Sequence, residues 1–153
     1  MHENTSESPS PTEPAAPVRF DTKVVVVLRE DLKPWQELNV TAFLMSGIAT
    51  SEAGLVGEDY RDADGQNYLP MLRQPVLVMT GGAEVLAKAR EKALGRGMSV
   101  AIYTEELFST GHDAANRAAV AAVPADELNL VGIALRGPKN AVDRVVKGAR
   151  MHE

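Results

Sequence analysis

The feature that most constrains this chain is an unbroken run of four valines and a leucine, Val24 to Leu28. β-Branched side chains lose χ1 freedom in a helix and pack well on a pleated surface, so the run reads as a strand. It has no polar face to turn towards water. Both faces must therefore be covered, as at the centre of a sheet flanked by helices. The run ends in Arg29-Glu30-Asp31-Leu32-Lys33, where four of five residues are charged. Pro34-Trp35 then opens a helical segment, to about Ala49, that carries Leu38, Val40, Ala42, Phe43 and Leu44. A buried strand that turns through a polar loop into a helix marks the ligand-facing edge of α/β proteins.

The rest of the chain repeats the alternation. Pro75–Met79 is a second apolar strand, and Gly81-Gly82 releases it into a helix from Ala83 to about Gly95. Met98–Tyr103 is a third strand, followed by a polar stretch in which Thr110 is suited to cap a helix that runs to Pro124. Asp113 stands where a capping box places its acid. Leu128–Arg136 is the last strand, and Gly137-Pro138 opens the closing helix. Between the first helix and the second strand, Asp64-Gly65 suits a type I′ turn in a small polar hairpin over residues 59–69. The pattern predicts a three-layer α/β/α domain with a mixed, mostly parallel sheet of about four to five strands.

Composition narrows the function classes. Residues 1–17 hold four of the nine prolines among Ser, Thr and Glu, and bury too little to offset their ordering entropy. They read as a disordered tail ahead of a single α/β domain over residues 18–153. The absence of cysteine removes disulfides, thiolate metal sites and cysteine nucleophiles. The three histidines are scattered without H-x-x-x-H spacing, so no metal site is expected, and no cofactor fingerprint is present. No apolar run nears the ~18 residues of a membrane span, and the first residues lack a secretory signal pattern. A cytoplasmic protein is the expectation. The net charge is −5, and Glu3, Glu7 and Glu13 in the tail account for much of it. The remainder is nearly neutral, a weak basis for binding nucleic acid. The C-terminal bases Arg136, Lys139, Arg144, Lys147 and Arg150 read as a solvated face.

Candidate chemistry lies where strand ends should gather. The first strand delivers Arg29, Glu30, Asp31 and Lys33, the second Thr80, Gly81 and Gly82, and the third Tyr103, Thr104, Glu105 and Glu106. Thr110 to Asp113 follow within reach of the same mouth. Ser109, His112 and Asp113 are triad residue types, but neighbours on one turn cannot align as nucleophile, base and orienter. His112 alone could serve as an acid, a base or a ligand contact. Trp35 either lines a pocket or fastens its helix to the sheet.

The stretch Val26-Val27-Leu28-Arg29-Glu30-Asp31-Leu32-Lys33 resembles the first strand and loop of the type II peptidyl-tRNA hydrolases, which read V-V-R-x-D-L-K there. The later order of elements and the closing Gly137-Pro138 resemble that family too, which implies its fold. In those enzymes a G-K-x-A-A-Q motif follows; here Asn39 falls at the lysine and Phe43 at the glutamine. A second resemblance is to a bacterial family of uncharacterised proteins, domain of unknown function number 2000. It rests on D-L-x-x-W-Q-x-L-N-V-x-A-F, here Asp31 to Phe43, and on F-x-T-G-H-D-x-x-N, here Phe108 to Asn116. This resemblance implies that Asn39, Thr110, His112, Asp113 and Asn116 form one polar cluster.

Three functional readings follow. The first is a protein that binds a small polar ligand at the carboxyl ends of the strands, through Asp31, Lys33, Asn39, Thr104, Thr110, His112, Asp113 and Asn116. The second is an esterase like peptidyl-tRNA hydrolase, with Lys33 meeting phosphate. The third is a non-catalytic homo-oligomeric scaffold built on the alanine-rich helix 114–123.

Overall fold

The computed structural model describes residues 19–153. The tail expected over residues 1–17 lies outside them. Five strands form one mixed sheet in the order β5-β6-β1-β4-β7. They are β1 (Thr22–Arg29), β4 (Val76–Gly81), β5 (Ser99–Thr104), β6 (Leu130–Pro138) and β7 (Arg150–Met151), while β2 (Tyr60–Arg61) and β3 (Asn67–Tyr68) make a separate hairpin. The helices are α1 (Pro34–Ala49), α2 (Ala83–Gly95), α3 (Asp113–Ala121) and α4 (Lys139–Val145).

β1 is covered on both faces, as its composition requires. Val25 and Val27 face a core shared with Leu86, Ala89 and Ala93 of α2 and with Val142 and Val145 of α4. Val24, Val26 and Leu28 face the opposite core with Val40, Leu44 and Ile48 of α1. Those three α1 residues recur every fourth position and form one helical stripe. Pro34 starts the helix, where a missing N–H is harmless, and Gln36 Oε1 accepts from the Lys33 N–H at 3.0 Å. At the other end, Thr50 and Ser51 hydroxyls donate to the last carbonyls, including Ser51 to Ile48 O at 2.6 Å. Gly132 allows α1 to lie close to β6: a Cβ there would stand 2.5 Å from Val40 Cγ1 and 3.1 Å from Leu44 Cδ1.

Three expectations change. The sheet is mixed, but the only parallel neighbours among the described residues are β1 and β4; β6 and β7 run antiparallel to theirs. Apolar periodicity marks a strand's burial and carries no information on its partner's direction. The hairpin forms, but not with a type I′ turn. Gly65 has φ +85° while Asp64 does not have positive φ, and Asp62 holds the turn by accepting from the N–H groups of Asp64 and Gln66. Finally, α3 is capped by His112 and not by Thr110, because a 3₁₀ segment, Glu105–Ser109, takes up the chain after β5. β7 is an element that the sequence reading did not include.

Candidate functional site

Antiparallel pairing of β6 with both β1 and β5 makes β1, β4 and β5 run in one direction, so their carboxyl ends share one edge. On the β1 side that edge is closed by ion pairs. Arg29, mostly buried, donates to Asp31 at 2.6 Å, Asn129 Oδ1 at 2.8 Å and Glu105 at 3.2 Å. Asn129 in turn donates to Glu105 at 2.8 Å. The bond and charge of Asp31 hold the Arg29 guanidinium pKa above its ordinary value, and the same contact holds the Asp31 carboxyl below the usual carboxylate range. Glu30 meets Arg150 of β7 at 3.0 Å. These groups satisfy one another across strand ends.

Most of the sequence candidates gather beside β5 instead. A cleft of about 390 Å³ lies between α1 and the segment from Leu107 to Asn116. Its apolar walls are Trp35, Phe43, Tyr103, Leu107 and Phe108; its polar lining is Asn39, Thr110, His112, Asp113 and Asn116. The aromatic rings brace one another: Trp35 stands edge-on to Phe108 at 5.7 Å between centroids, and Tyr103 lies 5.1 Å from Phe108 and 6.0 Å from Phe43. This volume lies within the range of small-molecule sites, in which apolar walls carry a few placed polar groups.

Local bonds fix the polar groups. Asn39 Nδ2 donates to the Tyr103 phenol oxygen at 3.2 Å, joining α1 to β5. Burial pushes the Tyr103 hydroxyl pKa up, and the Asn39 bond opposes that shift. Thr110 Oγ1 contacts Leu107 O at 3.0 Å and also the Asn116 carboxamide. One hydroxyl proton serves one acceptor at a time, so an Asn116 Nδ2–H turned towards Thr110 would complete the pair. His112 Nδ1 accepts from the Ala115 N–H at 3.1 Å, which places the proton of the neutral ring on Nε2. Asp113 forms an ion pair with Arg117 one turn on.

Five of the eight sequence candidates thus share one cavity: Asn39, Thr110, His112, Asp113 and Asn116. Asp31, Lys33 and Thr104 do not line it. Asp31 is held by Arg29, Lys33 is an exposed residue at the start of α1, and Thr104 is buried with 2% exposure. Tyr103, one of the residues at the end of the third strand, lines the cleft although it is not among those eight. Phe43 and Phe108, both parts of the motifs that carry the family resemblance, line the cleft as apolar walls. Trp35 lines the pocket and is more than half exposed. No residue of the hairpin lines the cleft. Among the described residues no three His, Asp or Glu side chains gather as a metal would require, and no helix is long and apolar enough to cross a membrane.

Helices on both faces of a five-stranded mixed sheet, with an aromatic-walled polar cleft at one edge, define a mixed α/β protein. Residues 22–153 match the family model described as "Protein of unknown function (DUF2000)", and the chain belongs to that family. A solved structure of a protein of unknown function from Agrobacterium tumefaciens strain C58 is similar at 47% identity and a TM-score of 0.85. The likeness covers 88% of this chain and 100% of that one. No curated protein matches the chain.

Proposed function

We propose that this protein binds a small polar ligand in the cleft between α1 and α3. The observation that carries the reading is the meeting of Asn39, from the first helix, with Thr110, His112, Asp113 and Asn116 on one cavity surface. Asn39 lies more than seventy positions before the other four in the chain. Fixed polar groups within aromatic walls give orientation to a ligand whose flat or apolar parts contact the rings. The esterase alternative has less support: Lys33 lies outside the cleft, and Arg117, which lines the neighbouring cavity, is engaged by Asp113.

The fold of type II peptidyl-tRNA hydrolases belongs to the same proposal, supported by the likeness at Val26–Lys33 and by helices on both faces of the sheet. Superposition on a member of that family tests it. A single domain over residues 18–153, a cytoplasmic location and self-association through α3 are further parts of the reading. Limited proteolysis, cell fractionation and light scattering test them in turn.

A thermal-shift screen against a metabolite library tests the binding function. A true ligand raises the unfolding temperature of the wild type, and Asn39→Ala and His112→Ala abolish that rise. A rise that survives both substitutions would place binding elsewhere.

A further inference from the structure

A second cavity of about 510 Å³ adjoins the polar cleft, and both are bordered by Phe43, Tyr103, Leu107, Asp113 and Asn116. Beyond those shared residues its lining turns apolar: Leu44, Ala101, Ile102, Val120 and Ala121, with Arg117 at the margin. Here the core is interrupted. α3 contributes no buried residue, and its Val120 faces this chamber at partial exposure while Leu44, on the opposite wall, belongs to the buried core. An apolar occupant would continue that core outwards and remove more apolar surface from water.

The polar side restricts what that occupant carries. Asn39 spends one N–H on Tyr103 and keeps a second N–H and its carbonyl oxygen; Asn116 retains a donor and an acceptor in either orientation of its carboxamide. Two carboxamides of this kind match a group that itself both donates and accepts. Arg117 is paired with Asp113 at the junction of the two spaces, so among the described residues no unpaired cation lines them to attract an acidic head. We infer that the ligand is amphipathic: a neutral amide head held between Asn39 and Asn116, and an apolar chain lying under α3 against Leu44, Ala101 and Val120. This inference rests on the binding function proposed for the cleft and names the chemical class of its ligand.

The test is a calorimetric titration of the full chain with acetamide, butanamide, hexanamide and octanamide, and with the carboxylates of the same chain lengths. Affinity for the amides rises roughly two- to fourfold with each added methylene until the chamber is filled. The carboxylates bind more weakly at every length. Val120→Trp, on a helix without buried residues, fills the chamber and flattens the dependence on chain length. Asn39→Ala weakens every amide equally. Amide affinity that does not vary with length overturns the chain site and leaves the polar cleft standing. Amide affinity that is undiminished at every length in both Asn39→Ala and His112→Ala, while its length dependence is lost in Val120→Trp, overturns the head assignment together with the binding role of the cleft. Carboxylates that bind as well as amides overturn the neutral head, and no binding by either series overturns the whole inference.

Discussion

Asn39 Nδ2 and the Tyr103 phenol oxygen meet at 3.2 Å and tie the first helix to the edge strand β5 at the wall of the cleft. The bond opposes the effect of burial on the phenol, which by itself pushes ionisation upwards. In a Tyr60→Phe/Tyr68→Phe background, Asn39→Ala is therefore predicted to move tyrosinate formation to higher pH. Absorbance titration reads this directly, and an unchanged titration would show that the bond does not form in solution. Loss of the bond also costs stability, by about 1 kcal/mol.

The Arg29 cluster gives a second prediction. Arg29 bonds with Asp31, Glu105 and Asn129, side chains from three separate segments at one edge of the sheet. Arg29→Met keeps the apolar stem and removes those bonds, and is predicted to lower stability by roughly 1–2 kcal/mol, since the acids are largely exposed. Asp31 has a folded pKa below its unfolded value near 3.8. Its contribution is present above that value and fades as pH falls through the lower folded pKa. Urea denaturation from pH 5 down to pH 2 should lose this part of its acid dependence in Arg29→Met.

At the other margin of the sheet, His152 bonds to Glu37 of α1, while its backbone N–H donates to Val78 O at 3.0 Å. The carbonyl of Glu153, followed by the Glu37 carboxylate, raises the His152 pKa above 6.5. A histidine raised by folding stabilises most fully below its unfolded pKa, and that contribution is lost as pH climbs through the folded value. The wild type is thus predicted to lose a small increment of thermal stability from pH 6 to pH 8, and Glu37→Gln to lose less. NMR titration of the His152 ring supplies the direct check; a midpoint at or below 6.5 contradicts the pairing.

Gly132 tests the helix–sheet contact that supports the cleft. A Cβ there would press on Val40 Cγ1 and Leu44 Cδ1, both in the buried core. Gly132→Ala is predicted to destabilise by about 1–3 kcal/mol, the usual cost of overpacking. Val40→Ala opens the space that the new methyl needs, so the double mutant should be more stable than the sum of the single changes implies. Strict additivity in denaturant melts would argue against the close approach.

Much of the fold was legible because burial leaves a local trace. The valine run of β1 announced a strand covered on both faces; of the apolar positions read in α1, Val40 and Leu44 belong to its inner stripe, while Leu38 and Phe43 are exposed. Pairing direction was not legible: β6 bonds antiparallel to both its neighbours, a relation between segments about a hundred residues apart in the case of β1. β7 went unread because two residues carry no periodicity. At the site, the motif resemblance brought Asn39 together with the Thr110–Asn116 segment, and the cleft contains all five of those residues. Asp31 and Lys33 were placed by chain proximity to a strand end, but Arg29 binds the first and the second stays outside. The end of the third strand pointed to Tyr103 by position alone, and nothing in its type raised it to a ligand-binding candidate, since a tyrosine at a strand's end is as well explained by packing.

Trp35 is the only tryptophan in the chain and forms part of the cleft wall, so its fluorescence reports occupancy there. The decisive measurement is a Trp35 fluorescence titration with a compound that raises the unfolding temperature, run on the wild type and on His112→Ala. The predicted result is a saturable change in emission for the wild type and none for His112→Ala at the same concentrations. The opposing result is unaltered Trp35 emission while the unfolding temperature still rises, which would mean that the ligand binds away from Asn39, His112 and Asn116.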